Sequence, residues 1–260
     1  MGILNVTPDS FSDGTGVLSI DDVIGRAYRM VNDGADILDI GGESTRPGAE
    51  PVALQEELDR VLPVIEALKG CGVPLSVDTF KPAVMREALA AGADMINDIC
   101  ALQEPAAVQA VAGSRCGLCI MHMQGEPRTM QAAPQYDDVV NDVRQFLAGR
   151  AQALEQAGIA RERLVLDPGF GFGKTAAQNY AMLRNLPRMR VAGYPWLLGL
   201  SRKSMIGHVV GREPAGRVAG SLAAALFGLE HGVSILRVHD VAETVDAVKV
   251  WRTIKDESFV

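Results

Sequence analysis

The sequence predicts an α/β protein whose eight strand–helix units close into a single-domain (β/α)8 TIM barrel. Short apolar segments alternate with longer amphipathic segments from end to end, and no linker or change of composition divides the chain. The length of 260 residues fits one barrel, a fold that routinely takes about 250 residues. A doubly wound open sheet is the alternative, because the same alternation builds both folds, but the count of eight favours the barrel.

The eight predicted strands are nearly continuous apolar runs, which is typical of strands covered on both faces. They are Gly2–Val6, Asp36–Ile40, Pro74–Asp78, Asp94–Asp98, Gly117–His122, Arg163–Asp167, Pro195–Leu200 and Ser234–Val238. The intervening segments carry apolar residues at helical spacing, such as Leu54, Leu58, Val61 and Leu62. Residues 123–136 are polar, contain two prolines and predict a long loop over one end of the barrel.

Capping residues predict several helix boundaries. Ser19 fits the position before a helix that begins at Ile20, and Pro82 fits the first turn of another helix. Gly34 follows Asp33 as expected for the residue just after a helix end.

Charge and cysteine content exclude several classes of protein. The net charge is −7 and the pI about 5.2, which argues against a general nucleic-acid or anionic-membrane surface. Four cysteines are too few for a disulfide framework, and Cys116 and Cys119 lie in an apolar run that predicts buried thiols. No signal peptide or membrane-spanning segment is evident, so we expect a cytoplasmic protein.

Polar residues recur at the carboxyl ends of the predicted strands, where (β/α)8 enzymes carry their active sites. They are Asn5, Asp39, Asp78, Asn97, His122, Asp167, Ser201 and Arg237, joined by the loop 41–48. Each alone is explained by a turn or a cap. Because strand ends of a barrel meet at one mouth, the series predicts a single active site.

The types of these residues indicate an anionic and a heterocyclic ligand. Arg46, Lys203, Arg237 and His239 bring positive charge to an acidic protein, and Arg237 and His239 lie two apart, on one face of a strand. They suit a phosphate or pyrophosphate, or else they pair with carboxylates. Asp78, Asn97 and Asp167 suit a planar heterocycle with N–H donors better than a metal cage. These residues are compatible with a Mg²⁺ ion that is bound to pyrophosphate and to one or two protein oxygens.

Two further features have open interpretations. Residues 169–175 imitate the end of a phosphate-binding Walker loop, but Pro168 stands where the first glycine is required, so we predict a flexible turn close to ligand. His122 either lines the ligand site or is a structural histidine.

Eight motifs in order resemble those of the bacterial dihydropteroate synthases, from Gly2 to about Arg252. They are Asn5-Val-Thr-Pro-Asp-Ser-Phe-Ser-Asp13-Gly, Asp39-Ile-Gly-Gly-Glu-Ser-Thr-Arg-Pro-Gly48, Ser76-Val-Asp-Thr79, Asn97-Asp-Ile, Met121-His-Met, Asp167-Pro-Gly-Phe-Gly-Phe-Gly-Lys174, Ser201-Arg-Lys-Ser204 and Arg237-Val-His-Asp240. The resemblance implies a pterin-binding barrel over residues 1–260 and a homodimer. The implied reaction joins 6-hydroxymethyl-7,8-dihydropterin pyrophosphate to p-aminobenzoate. Family members usually carry a short N-terminal β segment, which this sequence is expected to lack.

The resemblance also assigns roles to residues. It places the pterin against Asp78, Asn97, Met121, Asp167, Phe172 and Lys203. It assigns pyrophosphate and Mg²⁺ to Asn5, Arg237 and His239, with help from Thr45 and Arg46, and Asn5 is the metal ligand. It assigns p-aminobenzoate to Phe11, Thr45, Pro47 and Ser201. Asp13 is expected near the metal and the developing cation, and the implied catalytic residues are Asp13, Lys203, Arg237 and His239.

Two other functions compete with this one. A pterin-binding methyltransferase would need the Asp/Asn set but neither a pyrophosphate site nor the loop at Ser44–Gly48. A non-catalytic pterin-binding protein would bind the heterocycle without turnover, and the basic residues make it the weaker alternative.

Overall fold

A computed structural model describes residues 1–6, 19–45, 48–256 and 258. Phe11, Asp13, Arg46 and Pro47 lie outside the described residues. The described part contains eight parallel strands: β1 (Gly2–Asn5), β2 (Leu38–Gly41), β3 (Leu75–Asp78), β4 (Met95–Asp98), β5 (Gly117–Met121), β6 (Leu164–Asp167), β7 (Leu197–Leu198) and β8 (Ile235–Leu236).

The strands close into the predicted barrel. Strands β1 to β6 pair in sequence order, and β7 pairs with β8, always in parallel. A bridge between Leu166 and Trp196 joins β6 to β7, and a bridge between Gly2 and Val238 joins β8 to β1. Strands β7 and β8 are shorter than predicted, because the amides of Ser234 and Ile235 both donate to the Trp196 carbonyl and interrupt the regular ladder.

Helices follow the strands around the outside of the barrel. They are α1 (Ile20–Asn32), α2 (Leu54–Leu68), α3 (Pro82–Ala91), α4 (Pro105–Ala112), α5 (Val139–Gln156), α6 (Ala176–Arg184), α7 (Leu186–Met189), α8 (Ser204–Val210), α9 (Val218–Glu230) and α10 (Val241–Lys255). The predicted caps are confirmed: Ser19 forms a capping box with Asp22, Pro82 opens α3, and Gly34 follows α1 with φ +95°. Residues 123–136 form the predicted loop.

Two apolar cores hold the fold together. The larger one lies between the strands and the surrounding helices. The smaller one fills the interior of the barrel, and we call it the apolar layer: Met1, Met95, Cys119, Val165 and Leu197. Cys116 and Cys119 are both buried and unbridged, as predicted. Among the described residues, no helix is long and apolar enough to cross a membrane.

Candidate active site

A second set of side chains lies above the apolar layer, at the carboxyl ends of the strands. Because successive side chains of a strand alternate between its faces, Asn97 and Asp167 point inward like Met95 and Val165, two residues earlier. We call the polar side chains at this level the polar layer: Asp39, Asp78, Asn97, Asp167 and Arg237. The same strands therefore supply both a packed interior and a polar mouth.

Asp39 organises one half of the polar layer. Its side chain is fully buried, and Oδ1 accepts a hydrogen bond from Ser76 Oγ at 2.6 Å. Oδ2 accepts from Asn97 Nδ2 at 3.0 Å and from Arg237 Nε at 2.5 Å. This carboxylate therefore fixes both the Asn97 amide and the Arg237 guanidinium.

Arg237 is held between two carboxylates. Its Nη2 donates to Asp78 Oδ2 at 2.7 Å, while Nε is bound to Asp39. Burial alone would lower the pKa of Arg237, but the charges of Asp39 and Asp78 raise it above its usual value. The structure thus shows the carboxylate-paired arrangement that the sequence left open, with 19% of the Arg237 side chain still exposed.

Asp78 retains an unused acceptor. Burial raises the pKa of Asp78 to about 7, although the charge of Arg237 opposes this rise. Its Oδ1 is buried and has no hydrogen-bond partner among the described residues. A buried acceptor without a partner is costly unless a ligand supplies a donor. Asp78 Oδ1 therefore indicates where a ligand N–H would bind.

Asp167 and Lys203 form the opposite side of the layer. Asp167 Oδ1 accepts from the Gly169 amide at 2.7 Å. The Lys203 ammonium donates to the Phe170 carbonyl and lies 4.7 Å from the centre of the Phe172 ring. Burial raises the pKa of Asp167 and lowers that of Lys203 to about 8, while the opposite charge of each partner counters the shift.

The turn after β6 is braced by a buried lysine. Gly169, Gly171 and Gly173 all have positive φ, and a Cβ on Gly169 would collide with the His122 carbonyl. The ammonium of Lys174, which is 2% exposed, donates to the carbonyls of His122, Gly169 and Phe172 at 3.3, 2.8 and 2.9 Å. The turn that we predicted as flexible is therefore cross-linked to its own backbone and to the end of β5.

The ring of His122 lies between α5 and the end of the loop 123–136. Its ring packs against the rings of Phe146, in α5, at 5.0 Å and of Tyr136 at 6.0 Å between centroids. Burial, and then the charge of Lys174, lowers the pKa of His122 to about 3, so the imidazole stays neutral. The ring contacts support a structural histidine, but its buried Nδ1 has no hydrogen-bond partner among the described residues, so both interpretations of His122 stay open.

Ser201 and His239 lie side by side on the rim. Ser201 Oγ is 3.0 Å from His239 Nδ1 and accepts from the His239 amide at 3.1 Å. Strand β8 ends at Leu236, but the paired backbone continues: the Arg237 amide donates to the Leu198 carbonyl and the Val238 amide to the Met1 carbonyl, both at 3.0 Å. That Arg237 and His239 lie on one face stays a prediction. The Arg237 side chain binds the carboxylates of Asp39 and Asp78, and His239 lies against Ser201.

The structure brings the six predicted pterin residues together as three neighbouring pairs. Asp78 is the register partner of Asn97, and Met121 is the partner of Asp167. Lys203 and Phe172 form the third pair through their cation–π contact. Thr45 lies half-buried in the loop after β2.

Asn5 is the one described candidate for a metal ligand. The described residues include no group of three or more His, Cys, Asp or Glu side chains arranged to hold a metal. Asn5 Oδ1 and Asp78 Cβ lie 3.5 and 3.7 Å from the position that a Cβ on Gly41 would take. A hard amide oxygen thus faces the polar layer, and it fits a Mg²⁺ ion that takes its other oxygens from phosphate and water.

Sequence reasoning missed two buried groups that build this site. Asp39 was noticed as one polar strand end but received no role, although a carboxylate inside an apolar strand signals an internal partner. Nothing in the sequence indicated that Lys174 is buried, because a lysine after three spaced glycines is usually solvent-exposed.

Comparisons with known proteins agree with this site. Residues 1–239 match the model of the family described as pterin binding enzyme. The dihydropteroate synthase of Escherichia coli (strain K12) is 52% identical over 251 residues, covering 96% of this chain and 89% of the relative.

Two solved structures are similar over nearly the whole chain. The Burkholderia cenocepacia dihydropteroate synthase complexed with 7,8-dihydropteroate is 58% identical, with a TM-score of 0.90 and coverage of 98% of this chain and 90% of that one. The Yersinia pestis dihydropteroate synthase with a sulfonamide drug complex is 50% identical, with a TM-score of 0.94 and coverage of 98% and 93%. The chain therefore belongs to the pterin-binding enzyme family, among the dihydropteroate synthases.

Proposed function

We propose that the protein condenses 6-hydroxymethyl-7,8-dihydropterin pyrophosphate with p-aminobenzoate, giving 7,8-dihydropteroate and pyrophosphate. It is thus a transferase of folate biosynthesis. The observation that carries the proposal is the polar layer, in which the Asn97 amide is bound to Asp39 and the buried Asp78 Oδ1 has no partner among the described residues. The family supplies the reaction, and the layer supplies a place for its heterocycle.

The pterin binds across the polar layer. Its ring N–H and amino groups donate to the carboxylates of Asp78 and Asp167, and the Asn97 amide adds a polar contact. Phe172 and Met121 cover the ring, and Lys203, whose ammonium lies over Phe172, donates to a ring acceptor. Asp39 touches no ligand in this arrangement, because its oxygens already accept from Ser76, Asn97 and Arg237.

The leaving pyrophosphate binds at the mouth. The family resemblance assigns it to Arg237 and His239, together with Asn5, which would hold Mg²⁺. When bound there, Mg²⁺ would neutralise charge on the pyrophosphate. The predicted contributions of Arg46 and Asp13 belong to the same region and remain proposals from the family resemblance.

Catalysis follows from stabilising the leaving group and positioning the nucleophile. The bond between C9 of the pterin and the pyrophosphate oxygen breaks first, and the electron pair leaves with the pyrophosphate. The aniline nitrogen of p-aminobenzoate then attacks the resonance-stabilised cation and loses a proton. These steps require charge complementarity at the leaving group more than a strong base, and Arg237 provides that charge.

p-Aminobenzoate binds on the rim, beside Ser201 and the segment with Thr45. Phe11 and Pro47 are proposed to complete this site. The Ser201 hydroxyl is already oriented by His239 at 3.0 Å, so the nucleophile and the pyrophosphate share one wall of the mouth.

Product formation from the two substrates tests the proposal. Pyrophosphate release is followed with Mg²⁺ present or chelated, and with or without p-aminobenzoate. We expect magnesium-dependent release, and dihydropteroate only when p-aminobenzoate is added. Pterin binding without turnover would contradict the proposed reaction and favour the non-catalytic alternative.

Sulfonamides should inhibit the reaction in competition with p-aminobenzoate. The related Yersinia pestis enzyme is solved with a sulfonamide drug complex, and the motifs Phe11-Ser-Asp13 and Thr45-Arg-Pro-Gly48 have their ordinary forms. Equal rates with and without excess sulfonamide would contradict this expectation.

We also propose that the protein acts in the cytoplasm as a homodimer. The resemblance to the dihydropteroate synthases supports the dimer. Val209 in α8 and Val250 in α10, which are 67% and 60% exposed, are apolar side chains that such an interface would cover. Sedimentation analysis measures the mass in solution, and a monomer at micromolar concentration would contradict the dimer.

A further inference from the structure

A buried ionic cluster lies beside the mouth, outside the polar layer. Lys81, the residue before α3, donates its ammonium protons to Glu43 Oε2 at 2.7 Å, to Glu57 Oε2 at 2.6 Å and to the Val52 carbonyl at 2.6 Å. Its three donors are therefore all used, by residues from the loop after β2 and from α2.

The cluster closes the base of one loop. Glu43 lies near the start of the segment that joins β2 to α2, and Val52 lies near its end. The Val52 amide donates to Glu43 Oε1 at 3.0 Å, so Glu43 and Val52 are joined directly as well as through Lys81. We call Glu43, Val52 and Lys81 together the neck of segment 43–52. Thr45 lies in this segment, immediately beyond the neck.

The bonds at the neck do more than stabilise the contact between α2 and α3. The side chain of Glu57, in the first turns of α2, is fully buried, and its ion pair with Lys81 already joins the two helices. The additional bonds to Glu43 and Val52 instead fix the two ends of a loop against each other. Burial by itself lowers the pKa of Lys81, but the hydrogen bonds of Glu43 and Glu57 raise it above its usual value, so the ammonium remains charged.

We propose that Lys81 is a positioning residue for p-aminobenzoate, acting through the neck that it forms with Glu43 and Val52. The inference rests on the proposed function, since it specifies how the rim of that same site is held. Lys81 touches no substrate. It fixes Glu43, two residues before Thr45, against Val52. A misplaced nucleophile costs rate even when all reacting groups remain.

The Glu43→Gln variant tests the neck with the smallest change to the fold. It removes the charge that binds Lys81 but leaves the Lys81–Glu57 ion pair and an amide oxygen for Val52, so the fold should persist. We expect KM for p-aminobenzoate to rise about fivefold, the equivalent of one weakened hydrogen bond. The Kd for the dihydropterin pyrophosphate and the melting temperature should remain as in the parent.

A double variant separates positioning from stability. Lys81→Met alone would leave Glu57 buried and unpaired, which is strongly destabilising. Lys81→Met with Glu57→Met removes both charges and should recover the melting temperature. We expect KM for p-aminobenzoate to be raised about tenfold or more in this variant, because the ammonium that joins Glu43 to the Val52 carbonyl is lost. Recovery of the parent KM together with stability would overturn the proposal.

A control and a second readout complete the experiment. Lys255→Met removes an exposed lysine that pairs with Glu230, and it should change neither KM nor Kd. Hydrogen exchange at the Val52 amide reports the neck without any catalysis: protection in the parent should be lost in Glu43→Ala, which leaves this amide without its acceptor. Retained protection in that variant would overturn the neck, whereas an inactive parent with normal protection would overturn only the proposed function.

Discussion

The apolar layer and the polar layer lie two residues apart on the same strands but differ in what holds them. Met95, Cys119 and Val165 fill the lower interior through shape and apolar burial alone. Asn97, Asp167 and Arg237 fill the upper interior through directional bonds and opposite charges. The backbone geometry of the two levels is the same, so the side chains make the difference.

This comparison shows how a barrel separates stability from function. Buried apolar groups stabilise a fold wherever they pack, whereas buried charges are tolerated only when they are paired. In the polar layer, pairing is nearly but not fully complete, and the remaining acceptor on Asp78 is available to a ligand. Three substitutions and a change of pH test whether stability and function are separated between the two layers.

Arg237→Ala should have the largest effect, because it affects both properties at once. It leaves Asp39 and Asp78 facing each other without a cation, which should lower the free energy of unfolding by about 3–5 kcal/mol. It should also lower turnover at least about tenfold by removing a cation at the leaving group. Urea unfolding and steady-state kinetics measure the two effects. Near-normal turnover would remove Arg237 from the site.

Leu197→Ala should affect stability alone. Leu197 is fully buried in the apolar layer, and truncating such a side chain costs about 2–5 kcal/mol. Both KM values and kcat should remain near those of the parent when measured below the melting temperature. A raised KM for the pterin substrate would contradict the separation of the two layers.

Lys203→Ala should affect catalysis more than stability. Burial makes the charged Lys203 costly, as its lowered pKa indicates, so removing it should destabilise the protein less than Arg237→Ala does. Turnover should fall at least about tenfold, equivalent to about 1.4 kcal/mol of activation free energy. Kinetics and urea unfolding of the two variants are compared side by side. Unchanged turnover would exclude Lys203 from catalysis.

A change of pH should have the smallest effect and should move the two properties in opposite directions. Burial raises the pKa of Asp78 to about 7 from its ordinary value of 3.8. Between these values the folded protein holds a proton that the unfolded chain has released, so the contribution of Asp78 to stability decreases as pH rises to about 7. Pterin affinity should rise over the same range, because the ionised carboxylate is the better acceptor.

Calorimetric titration with a pterin and urea unfolding, each between about pH 5.5 and pH 8, measure these trends. The Asp78→Asn variant should lose the contribution of Asp78 to the pH dependence of the pterin affinity and of the free energy of unfolding. If pterin affinity and the free energy of unfolding changed in the same direction with pH in the parent, this would contradict the assignment of both effects to Asp78.

Much of the fold was predictable because its signals are local. Ser19, Pro82 and Gly34 each act on neighbouring backbone, and the structure confirms the boundaries they predicted. The eight apolar runs placed the strands, and the ends of those runs placed Asp78, Asn97 and Asp167 at one mouth. Strand pairing is irregular at Trp196, and there the local signals predicted β7 and β8 to be longer than they are.

The sequence by itself determined the order of strands and helices, the mouth at which the polar residues gather and the resemblance to a family. Only the tertiary structure decided which partner each charge takes. Arg237 pairs with Asp39 across 198 positions, Lys174 is buried among carbonyls, and Lys81 joins the ends of segment 43–52. The physical reason is that periodicity reports which face of an element is buried, whereas the partner of a buried charge depends on the closure of the whole barrel.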